Sequence, residues 1–576
     1  MIHVCRRRVA PRTQWQLEQQ GLPSLLARIY AGRGIVERQE LDYSWPALLP
    51  PARLTNAAAA AVLLADAIAR HARILIVADY DCDGATACAV GIRALRACGA
   101  RVDYLVPNRF TCGYGLSPDV VDLAAARRPD LIVTVDNGIS SVDGVARARQ
   151  YGIATLITDH HLPGEHLPDA DCLVNPNLPY CDFPSKTLAG VGVMFYVMLA
   201  LRAELRSRQW FSAASGRQEP RLAELLDLVA LGTVADVVPL DRNNRILVSQ
   251  GLQRIRQGRL TPGVRALFRA AGRLPTQATS VDLGFLIGPR INAAGRLADM
   301  SLGIECLITD DENRAMNIAQ QLDTLNRERR QIEAEMQQQA LNQLAGTHGS
   351  VDELANDPTA ALTLFDDEWH QGVVGLVAAR IKERVHRPVF AFARGENGEL
   401  KGSGRSIPGL HLRDALDLLA KRAPGLLLRF GGHAMAAGVT VRENDLPIFR
   451  ELFAQTVDPL LSPADRTRTL ETDGALPTAC YSLSTARLLD SEVWGQHFPG
   501  PLFDDEFIVD SQRILKDKHL KLRLRKGAQA VDAIQFNFKK PPGSTIHAVY
   551  RLAINEFNGV QSAQLMIEHL ENIDAC

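Results

Sequence analysis

Continuously apolar runs alternate with helix-like segments along the first half of the chain. The helix-like segments include residues 85–97 and 142–151, in which apolar side chains recur at three- and four-residue steps. Strands that alternate with helices predict βαβ units and a parallel sheet, and strands without polar positions predict helices on both faces of that sheet. The apolar runs that we interpret as strands are residues 74–78, 102–106, 131–135, 155–158 and 172–174.

The longest helical pattern covers residues 312–345 and has polar side chains on its remaining faces. It predicts a rigid helix that links two globular parts; the alternative is a single coiled-coil arm. Residues 360–460 return to a mixed α/β pattern, and residues 470–576 contain several short strands separated by turns, which is typical of a small β-barrel. The apolar positions of the helix are Ile318, Leu322, Leu325, Ile332, Met336, Ala340 and Leu344.

A chain of 576 residues is too long for a single hydrophobic core, and these patterns divide it into five parts. We predict an N-terminal segment, an α/β domain with a parallel sheet, a linker helix, a smaller mixed α/β domain and a C-terminal β-barrel. The predicted bounds are, in that order, residues 1–50, 51–311, 312–346, 347–462 and 463–576.

Composition excludes some classes of protein. No stretch approaches the roughly 18 apolar residues of a membrane span, and no apolar segment follows the basic N-terminus as it would in a secretory signal. The ten cysteines include no Cys-x-x-Cys pair, which favours reduced thiols in a cytoplasmic protein over a disulfide framework or a zinc site.

Basic residues are concentrated in two segments of a chain whose net charge is −1. Residues 401–433 contain six Lys and Arg, and residues 508–551 contain ten. Each segment alone could be a solvated face, but the two together on a neutral chain indicate a polyanion as partner.

Carboxylates follow the predicted strands, where ligands of parallel sheets bind. Asp79, Asp81 and Asp83 follow the first strand, Asp136 follows the third, and the sequence Asp159-His160-His161 follows the fourth. The apolar run in LVALGTVADVVPL is interpreted as one more such end and carries Asp236. A single Asp at a strand end is usually a helix N-cap, but so many carboxylates in one place need a counter-charge. Oxygen ligands with imidazole suit Mn²⁺ or Mg²⁺.

The order of DYDCDG, VDNG, DHH and GTVADVVPL resembles the four motifs of the DHH phosphoesterase superfamily. The segments VPNRFTCGYGL, GPRINAAGRL, WHQGVVGLVAARI, GSGRS and GGHAMAAG narrow the resemblance to its bacterial single-strand-specific exonucleases, over residues 30–576. This resemblance implies a DHH domain and a DHHA1 domain joined by the long helix, followed by an OB-fold. It also implies 5′→3′ degradation of single-stranded DNA to 5′-mononucleotides in DNA repair, including mismatch repair, and recombination.

The resemblance assigns roles to the acidic cluster. Two ions, Mn²⁺ or Mg²⁺, would supply the nucleophile from water, and Asp136 would be shared between them. His161 would assist the leaving group or orient a phosphate oxygen, and Asp79 is the open position because other branches have a His in this motif. The implied ligands are Asp79, Asp81, Asp83, Asp136, His160 and Asp236.

Further residues are implied to hold DNA. In KGSGRS, small residues beside Ser403 and Arg405 predict backbone N–H groups that approach a phosphate, and GGHAMAAG predicts the same around His433 at a helix start. The alternative for each is a tight turn, whereas the resemblance implies that they hold the 5′ end across an interdomain cleft. Arg109 and Arg290 would contact phosphates, and Tyr114 would stack on a base. In the barrel, Lys518, Lys521, Arg523 and Arg525 lie on one face or on two.

The implied partners are single-stranded DNA, a single-strand-binding protein and a recombination helicase, with the chain itself a monomer. Two other interpretations stay open from the sequence. A DHH phosphodiesterase for very short RNA or cyclic dinucleotides, or a pyrophosphatase, would usually lack the barrel at residues 470–576. A non-catalytic scaffold, as in the DHH-derived subunit of the eukaryotic replicative helicase, would lack metal ligands that this chain retains.

Overall fold

The structure of the protein is a computed structural model that describes residues 2–107, 115–348 and 359–573. The strands are β1 Ile2–Arg6, β2 Arg73–Ala78, β3 Arg101–Leu105, β4 Leu131–Val135, β5 Ala154–Thr158, β6 Cys172–Val174, β7 Leu362–Phe365, β8 Val389–Arg394, β9 Glu399–Arg405, β10 Arg429–Gly432, β11 Ala436–Arg442, β12 Arg468–Thr472, β13 Phe503–Leu515, β14 His519–Lys526, β15 Gln529–Gln535, β16 Thr545–Phe557 and β17 Val560–Asn572.

The helices up to the middle of the chain are α1 Pro11–Gln19, α2 Ser24–Ala31, α3 Ala57–Ala69, α4 Cys82–Ala97, α5 Pro118–Ala125, α6 Val142–Gln150, α7 Gly190–Ser207, α8 Leu226–Ala235, α9 Arg242–Arg256 and α10 Pro262–Ala270. A π-helix, Leu283–Ile287, joins α11 to α12. The later helices are α11 Ser280–Asp282, α12 Gly288–Leu297, α13 Ser301–Ile308, α14 Glu312–His348, α15 Val374–Val385, α16 Leu412–Arg422, α17 Leu446–Val457 and α18 Leu483–Ser491.

The chain divides into two compact units, and the division falls within the long helix α14. The larger unit combines Arg6–Asp323 with Thr472–Cys576, and the smaller unit combines Met1–Cys5 with Thr324–Glu471. The larger unit is therefore discontinuous in sequence, because most of the smaller unit lies between its two segments.

A five-stranded parallel sheet forms the centre of the larger unit, with the strand order β3-β2-β4-β5-β6. Every residue of β4 is buried, as are all residues of β2 after Arg73, because helices cover both faces. The register places Ala78 of β2 level with Val135 of β4, and Val135 level with Thr158 of β5. The last residues of three adjacent strands therefore lie at the same edge. The predicted parallel sheet is confirmed.

The second segment of the larger unit contains a closed barrel with the strand order β13-β14-β15-β17-β16. Strand β14 alternates as its sequence predicts, because Leu520, Leu522 and Leu524 are buried and the side chains between them face outwards. The predicted OB-type barrel is confirmed.

Residues near the start of the chain pair with residues that precede and begin the barrel. Arg33 donates to both carboxylate oxygens of Asp473, at 2.7 and 3.0 Å, and its side chain is only 1% exposed. Arg6 pairs with the buried Asp504 at 2.8 Å, and the Tyr30 hydroxyl donates to Glu492. Both ends of the larger unit therefore depend on each other for the neutralisation of buried charge.

The smaller unit contains a mixed sheet with the order β10-β11-β9-β8-β7. Strand β9 is central, since it pairs with β8 on one side and with β11 on the other. Phe390 and Phe392 of β8 pack against Phe449 and Phe453 of α17 and form the aromatic core.

The residues that the structure describes include neither a single membrane-spanning helix nor a disulfide. No single helix among them is long and apolar enough to span a membrane; the segments Trp45–Arg53 and Ala57–Ala69 reach the required composition only as a pair bent by 79°. The eight cysteines in this part of the chain are all free, and six of them are buried.

Candidate metal centre and phosphate-binding residues

Three neighbouring strands deliver their carboxylates at one edge of the parallel sheet. Asp79, Asp136 and Asp159 directly follow β2, β4 and β5, and the N–H of Asp136 still donates to Thr158 of the neighbouring strand at 3.1 Å. Asp81 then caps α4 by accepting the N–H of Gly84 at 3.0 Å. Gly84 is required here, since a Cβ would lie 2.6 Å from the carbonyl oxygen of Asp79.

Asp236 reaches the same place by a different route from the one predicted. The apolar run before it forms α8 and not a strand, and Asp236 follows the last residue of that helix. Residues Leu226–Thr233 of α8 are all buried, so the run has no polar face and its periodicity cannot distinguish a helix from a strand. The interpretation of this segment as a strand end was wrong.

The imidazole of His160 lies at the centre of the cluster. Its Nε2 is 3.0 Å from Asp136 Oδ1, 3.5 Å from Asp236 Oδ2 and 3.9 Å from Asp83 Oδ2. Three groups each have ligand atoms within 4.8 Å of one another: Asp136 with His160 and His161, Asp83 with His160 and Asp236, and Asp79 with Asp81 and Asp136. Since Asp136 and His160 each belong to two groups, the cluster has room for more than one ion.

Electrostatics and unsatisfied oxygens support a cation at this place. Burial, reinforced by the charge of Asp81, raises the pKa of Asp83 to about 7, and burial with the charges of Asp83 and Asp81 raises the pKa values of Asp136 and Asp236 well above their usual range. Asp236 Oδ2 is buried and has no hydrogen-bond donor among the described residues. Carboxylates and imidazole fit Mn²⁺ or Mg²⁺, so the residues present match the ions that the sequence implies.

The first turn of α7 orients one of these carboxylates. The N–H groups of Gly190 and Val191 donate to the two oxygens of Asp83, at 2.6 and 2.9 Å. A Cβ at position 190 would lie 2.6 Å from Asp136 Oδ1, and one at Gly232 would lie 2.9 Å from Asp83 Oδ1. Two helices thus reach the cluster only because these two positions are glycine.

Asp159 has a supporting role that the sequence analysis did not identify. Its oxygens accept the N–H groups of Ile139, His160 and His161, and its Oδ1 lies 2.8 Å from His161 Nδ1. Burial alone would lower the pKa of His161, but the hydrogen bond and charge of Asp159 outweigh it and raise that pKa to about 9. The position of Asp159 directly after β5, as in the other acids, was the available signal.

Helix α12 fixes the loop that carries the first three acids. Asn292 Oδ1 accepts the N–H of Cys82 at 2.7 Å, and a Cβ at Gly295 would lie 2.1 Å from the carbonyl oxygen of Tyr80. Arg290 is buried and pairs with Asp323 at 2.8 Å, also donating to the carbonyl of Leu286. Its predicted contact with a phosphate stays a prediction, because here the guanidinium is held by a carboxylate.

Ser403 and Arg405 lie on one face of β9, and the structure gives a different reason for the glycines between them. A Cβ at Gly402 or Gly404 would lie 2.5 or 2.4 Å from the rings of Phe392 and Phe390, so glycine is needed for packing. The backbone of β9 is paired on both sides, so its N–H groups cannot cradle a phosphate as the sequence predicted. In this strand, only the side chains of Ser403 and Arg405 could contact a phosphate.

Arg405 is a buried cation that lies beside the start of a helix. Arg405 Nη1 donates to Ser403 Oγ at 3.1 Å and to the carbonyl of Gly404. Burial lowers its pKa, and no carboxylate among the described residues forms an ion pair with it. The start of α15 also lies against this pair, since a Cβ at Gly375 would be 2.7 Å from Ser403 Oγ. A buried cation at a helix N-terminus favours a bound anion.

His433 lies in the turn between β10 and β11, where its N–H donates to the carbonyl of Ala436 at 2.7 Å. The predicted helix start is therefore wrong, because GGHAMAAG forms a β-hairpin. Gly432 has φ 137°, a conformation that favours glycine, which explains the small residues of this turn.

Three of the four basic barrel residues share the outer face of one strand. Lys521, Arg523 and Arg525 all point outwards from β14, and Lys518 lies in the turn before it. Arg523 and Lys521 pair with Asp532 at 2.6 and 3.6 Å, and Arg525 pairs with Asp510 at 2.9 Å. Arg109 and Tyr114, the remaining predicted contacts, lie outside the described residues.

Comparisons with known proteins agree with the fold and with the motifs. Sequence models of the DHH family N-terminal domain, the DHHA1 domain and the RecJ OB domain match residues 73–233, 356–458 and 472–569. The single-stranded-DNA-specific exonuclease RecJ of Dickeya dadantii is 52% identical over 95% of this chain and 96% of its own length. The protein of the same name from Escherichia coli is 49% identical over the same shares.

Solved structures give the same result. The crystal structure of RecJ from Thermus thermophilus in complex with Mn²⁺ matches with a TM-score of 0.82 and 30% identity, covering 100% of this chain and 80% of that one. A complex of the same protein with Mg²⁺ matches with a TM-score of 0.76 and 29% identity, covering 100% and 78%.

Proposed function

Since the chain belongs to the RecJ family of single-stranded-DNA-specific exonucleases, we propose that it hydrolyses single-stranded DNA from the 5′ end. The products are 5′-mononucleotides, and the cofactors are Mn²⁺ or Mg²⁺ ions. The observation that carries this proposal is the cluster of buried carboxylates around His160. Its ligand atoms come from four separate segments of the chain and include those of all six predicted ligands.

The side chains of the cluster divide the work of phosphodiester hydrolysis. When bound, divalent ions supply Lewis acidity and a water-derived nucleophile at neutral pH. Asp136 and His160, which belong to two groups of ligands, would hold the ions, while Asp83 is kept in place by the start of α7. His161, protonated at neutral pH through Asp159, can donate to a phosphate oxygen or to the departing sugar oxygen.

The direct experiment uses single-stranded oligonucleotides labelled at either end. With Mn²⁺ and the purified chain, the 5′ label should appear first in a mononucleotide, and a blunt duplex of the same sequence should react much more slowly. Asp136→Asn is the inactive control, because asparagine tolerates the left-handed conformation of this residue (φ 62°) but carries no charge for an ion. Shortening that starts from the 3′ end, or equal rates on the duplex, would contradict the proposal.

The polarity is proposed to come from Arg405 and Ser403, with His433. Arg405→Ala removes a charge-assisted contact, typically worth about 1.5–3 kcal/mol, or roughly ten- to a hundredfold in rate. Single-turnover rates on strands with a 5′-phosphate should fall more than those on strands with a 5′-hydroxyl. The exposed Arg450→Ala is the matched control in the same unit, outside the basic segment 401–433, and should leave both rates unchanged. An equal loss on the two strands would assign Arg405 to an internal phosphate.

The cellular role follows from the same family. We place the reaction in DNA repair and recombination in the cytoplasm, with a single-strand-binding protein and a recombination helicase as partners of a monomeric chain. The free cysteines of the described residues support a reducing compartment. Sedimentation of the pure chain tests the monomer, and co-sedimentation with each partner tests the association.

A further inference from the structure

A π-helix interrupts the helical segment that packs against the metal centre. Residues Leu283–Ile287 form it, between α11 and α12. Such wide turns are rare and occur frequently at functional sites, because they insert one extra residue and redirect the side chains around it. The residue at the middle of this turn is Phe285.

Phe285 is the most exposed large apolar residue of the described chain, at 76%. One turn earlier, Val281 is 57% exposed, so the two form an apolar strip on the outside of the segment. An exposed phenyl ring loses the free energy that burial would provide, and no packing requirement explains its position.

The segment that carries the strip lies against the end of α8, just before a metal ligand. A Cβ at Gly284 would be 3.2 Å from Val234 Cγ1, and a Cβ at Gly288 would be 3.0 Å from Ala235 Cβ. The π-helix and the first residue of α12 therefore rest on the two residues that precede Asp236, and Phe285 lies in sequence between the two glycines that make this contact. Val237, on the other side of Asp236, is 62% exposed and has φ 62°, an unfavourable conformation for a β-branched residue.

We propose that Phe285 is a base-stacking residue for the DNA strand at the edge of the metal centre, an inference that rests on the proposed function. An aromatic ring binds any base through its face and is indifferent to sequence, as an exonuclease requires. Inside a duplex both faces of a base are covered by its neighbours, so every base beyond the terminal pair can reach this ring only from an unpaired strand. Phe285 thereby contributes to the preference for single strands, as well as to affinity.

The first test compares Phe285→Ala with Trp15→Ala, another exposed aromatic residue of the same unit that is placed on α1. At low enzyme concentration with Mn²⁺, the single-turnover rate on a single-stranded oligonucleotide should be roughly five- to a hundredfold lower for Phe285→Ala than for wild type. Phe285→Trp should retain the wild-type rate, because it keeps a stacking surface. Thermal unfolding of the Ala variant should match wild type, since the side chain is exposed.

The second test removes the base instead of the ring. Each oligonucleotide of a series carries one abasic site, at successive positions from the 5′ end. At one of these positions, the wild-type cleavage rate should fall by the same factor that Phe285→Ala causes on an intact strand. With the abasic site at that position, Phe285→Ala should cleave the strand as fast as wild type, because the contact is already absent. A full additional loss there would overturn the inference.

The outcomes separate this inference from the proposed function. If wild type leaves the single strand intact with Mn²⁺, the proposed function fails and the inference fails with it. If wild type degrades the strand and Phe285→Ala behaves like Trp15→Ala, the function stands and the stacking role is wrong.

Discussion

At the scale of residues, the metal centre is a costly arrangement in the ion-free chain. Asp83 and Asp136 are buried beside the half-buried Asp236, and the raised pKa values of all three mean that the folded chain disfavours their charged forms. Hydrogen bonds from Gly190 and Val191 offset only part of this cost at Asp83. Such strain is typical of functional sites, where stability is given up for chemistry.

This cost predicts a pH dependence for the ion-free protein. The pKa of Asp83 is about 7 in the folded chain and lower when unfolded, so the folded state binds the proton more tightly, and stability falls as pH rises from about 4 to about 7. In EDTA, the unfolding temperature should be lower at pH 8 than at pH 5. With Mn²⁺ the difference should shrink or reverse, because the ions bind the charged carboxylates.

The matched variants isolate the carboxylate. Asp83→Asn should have a smaller difference between the two unfolding temperatures in EDTA, whereas Asp182→Asn, at an exposed position, should leave the difference as in wild type. An ion-free wild-type chain that is as stable at pH 8 as at pH 5 would show that the cluster is not strained.

At the scale of elements, the start of α7 is the support on which the cluster depends most directly. Gly190→Ala would place a methyl group 2.6 Å from Asp136 Oδ1, and Asp136 would have to move. Displacements of about 1 Å in a catalytic group can cost about a hundredfold in rate, so we expect a loss of that size. The initial rate on labelled single-stranded DNA and the Mn²⁺ concentration for half-maximal rate measure it.

A glycine of α14 provides the control. Gly346 has no atom within 4 Å of a Cβ position, so Gly346→Ala should keep full activity and stabilise the helix by up to about 1 kcal/mol. A Gly190→Ala variant as active as Gly346→Ala would mean that α7 does not determine the position of Asp136.

The elements that could be predicted from sequence are those whose pattern has one interpretation. Residues 131–135 and 172–174 are strands with the predicted bounds, and the helix predicted at 312–346 is observed as Glu312–His348. The two strands are short apolar runs without helical periodicity, whereas the helix keeps its periodicity over its whole length. The edge at which β2, β4 and β5 end follows from the parallel order of the sheet, and this placed most of the acids correctly.

The features that could not be predicted depend on contacts between distant segments. Helix α8 is buried on every side, so the apolar run before Asp236 carries no helical signal. Gly402 and Gly404 were interpreted as an anion cradle, but the rings of β8 that exclude a Cβ there are visible only in the sheet. The pairing of Arg290 with Asp323 likewise joins two helices that no local pattern connects.

At the scale of the whole molecule, the basic strand of the barrel is partly neutralised by its neighbours. Lys521 and Arg523 share one carboxylate, Asp532, and all three side chains are partly exposed, so these ion pairs add little stability. Their cations remain available to exchange an aspartate for a phosphate. The proposed role of the strand in binding DNA therefore depends on salt and on Asp532.

Removal of Asp532 should strengthen DNA binding. Asp532→Asn frees two cations, so the affinity for a labelled single strand should rise, and the slope of log K against log salt should steepen by up to about 0.7 for each cation. The double variant Lys521→Ala/Arg523→Ala should weaken binding and flatten the slope. Fluorescence anisotropy in EDTA measures both without cleavage, and a weaker affinity of Asp532→Asn would contradict the role of this face.

The pairing of the first residues with the barrel region also has a consequence for biosynthesis. Arg33 leaves the ribosome early, whereas its counter-charge Asp473 is made only after the whole smaller unit. Until then the guanidinium has no counter-charge for its buried place, so the larger unit cannot complete its fold while the chain is growing. Truncated products that carry all the metal ligands but stop before Asp473 would be unstable and exposed to proteolysis. The cell would therefore not accumulate a nuclease fragment without its barrel.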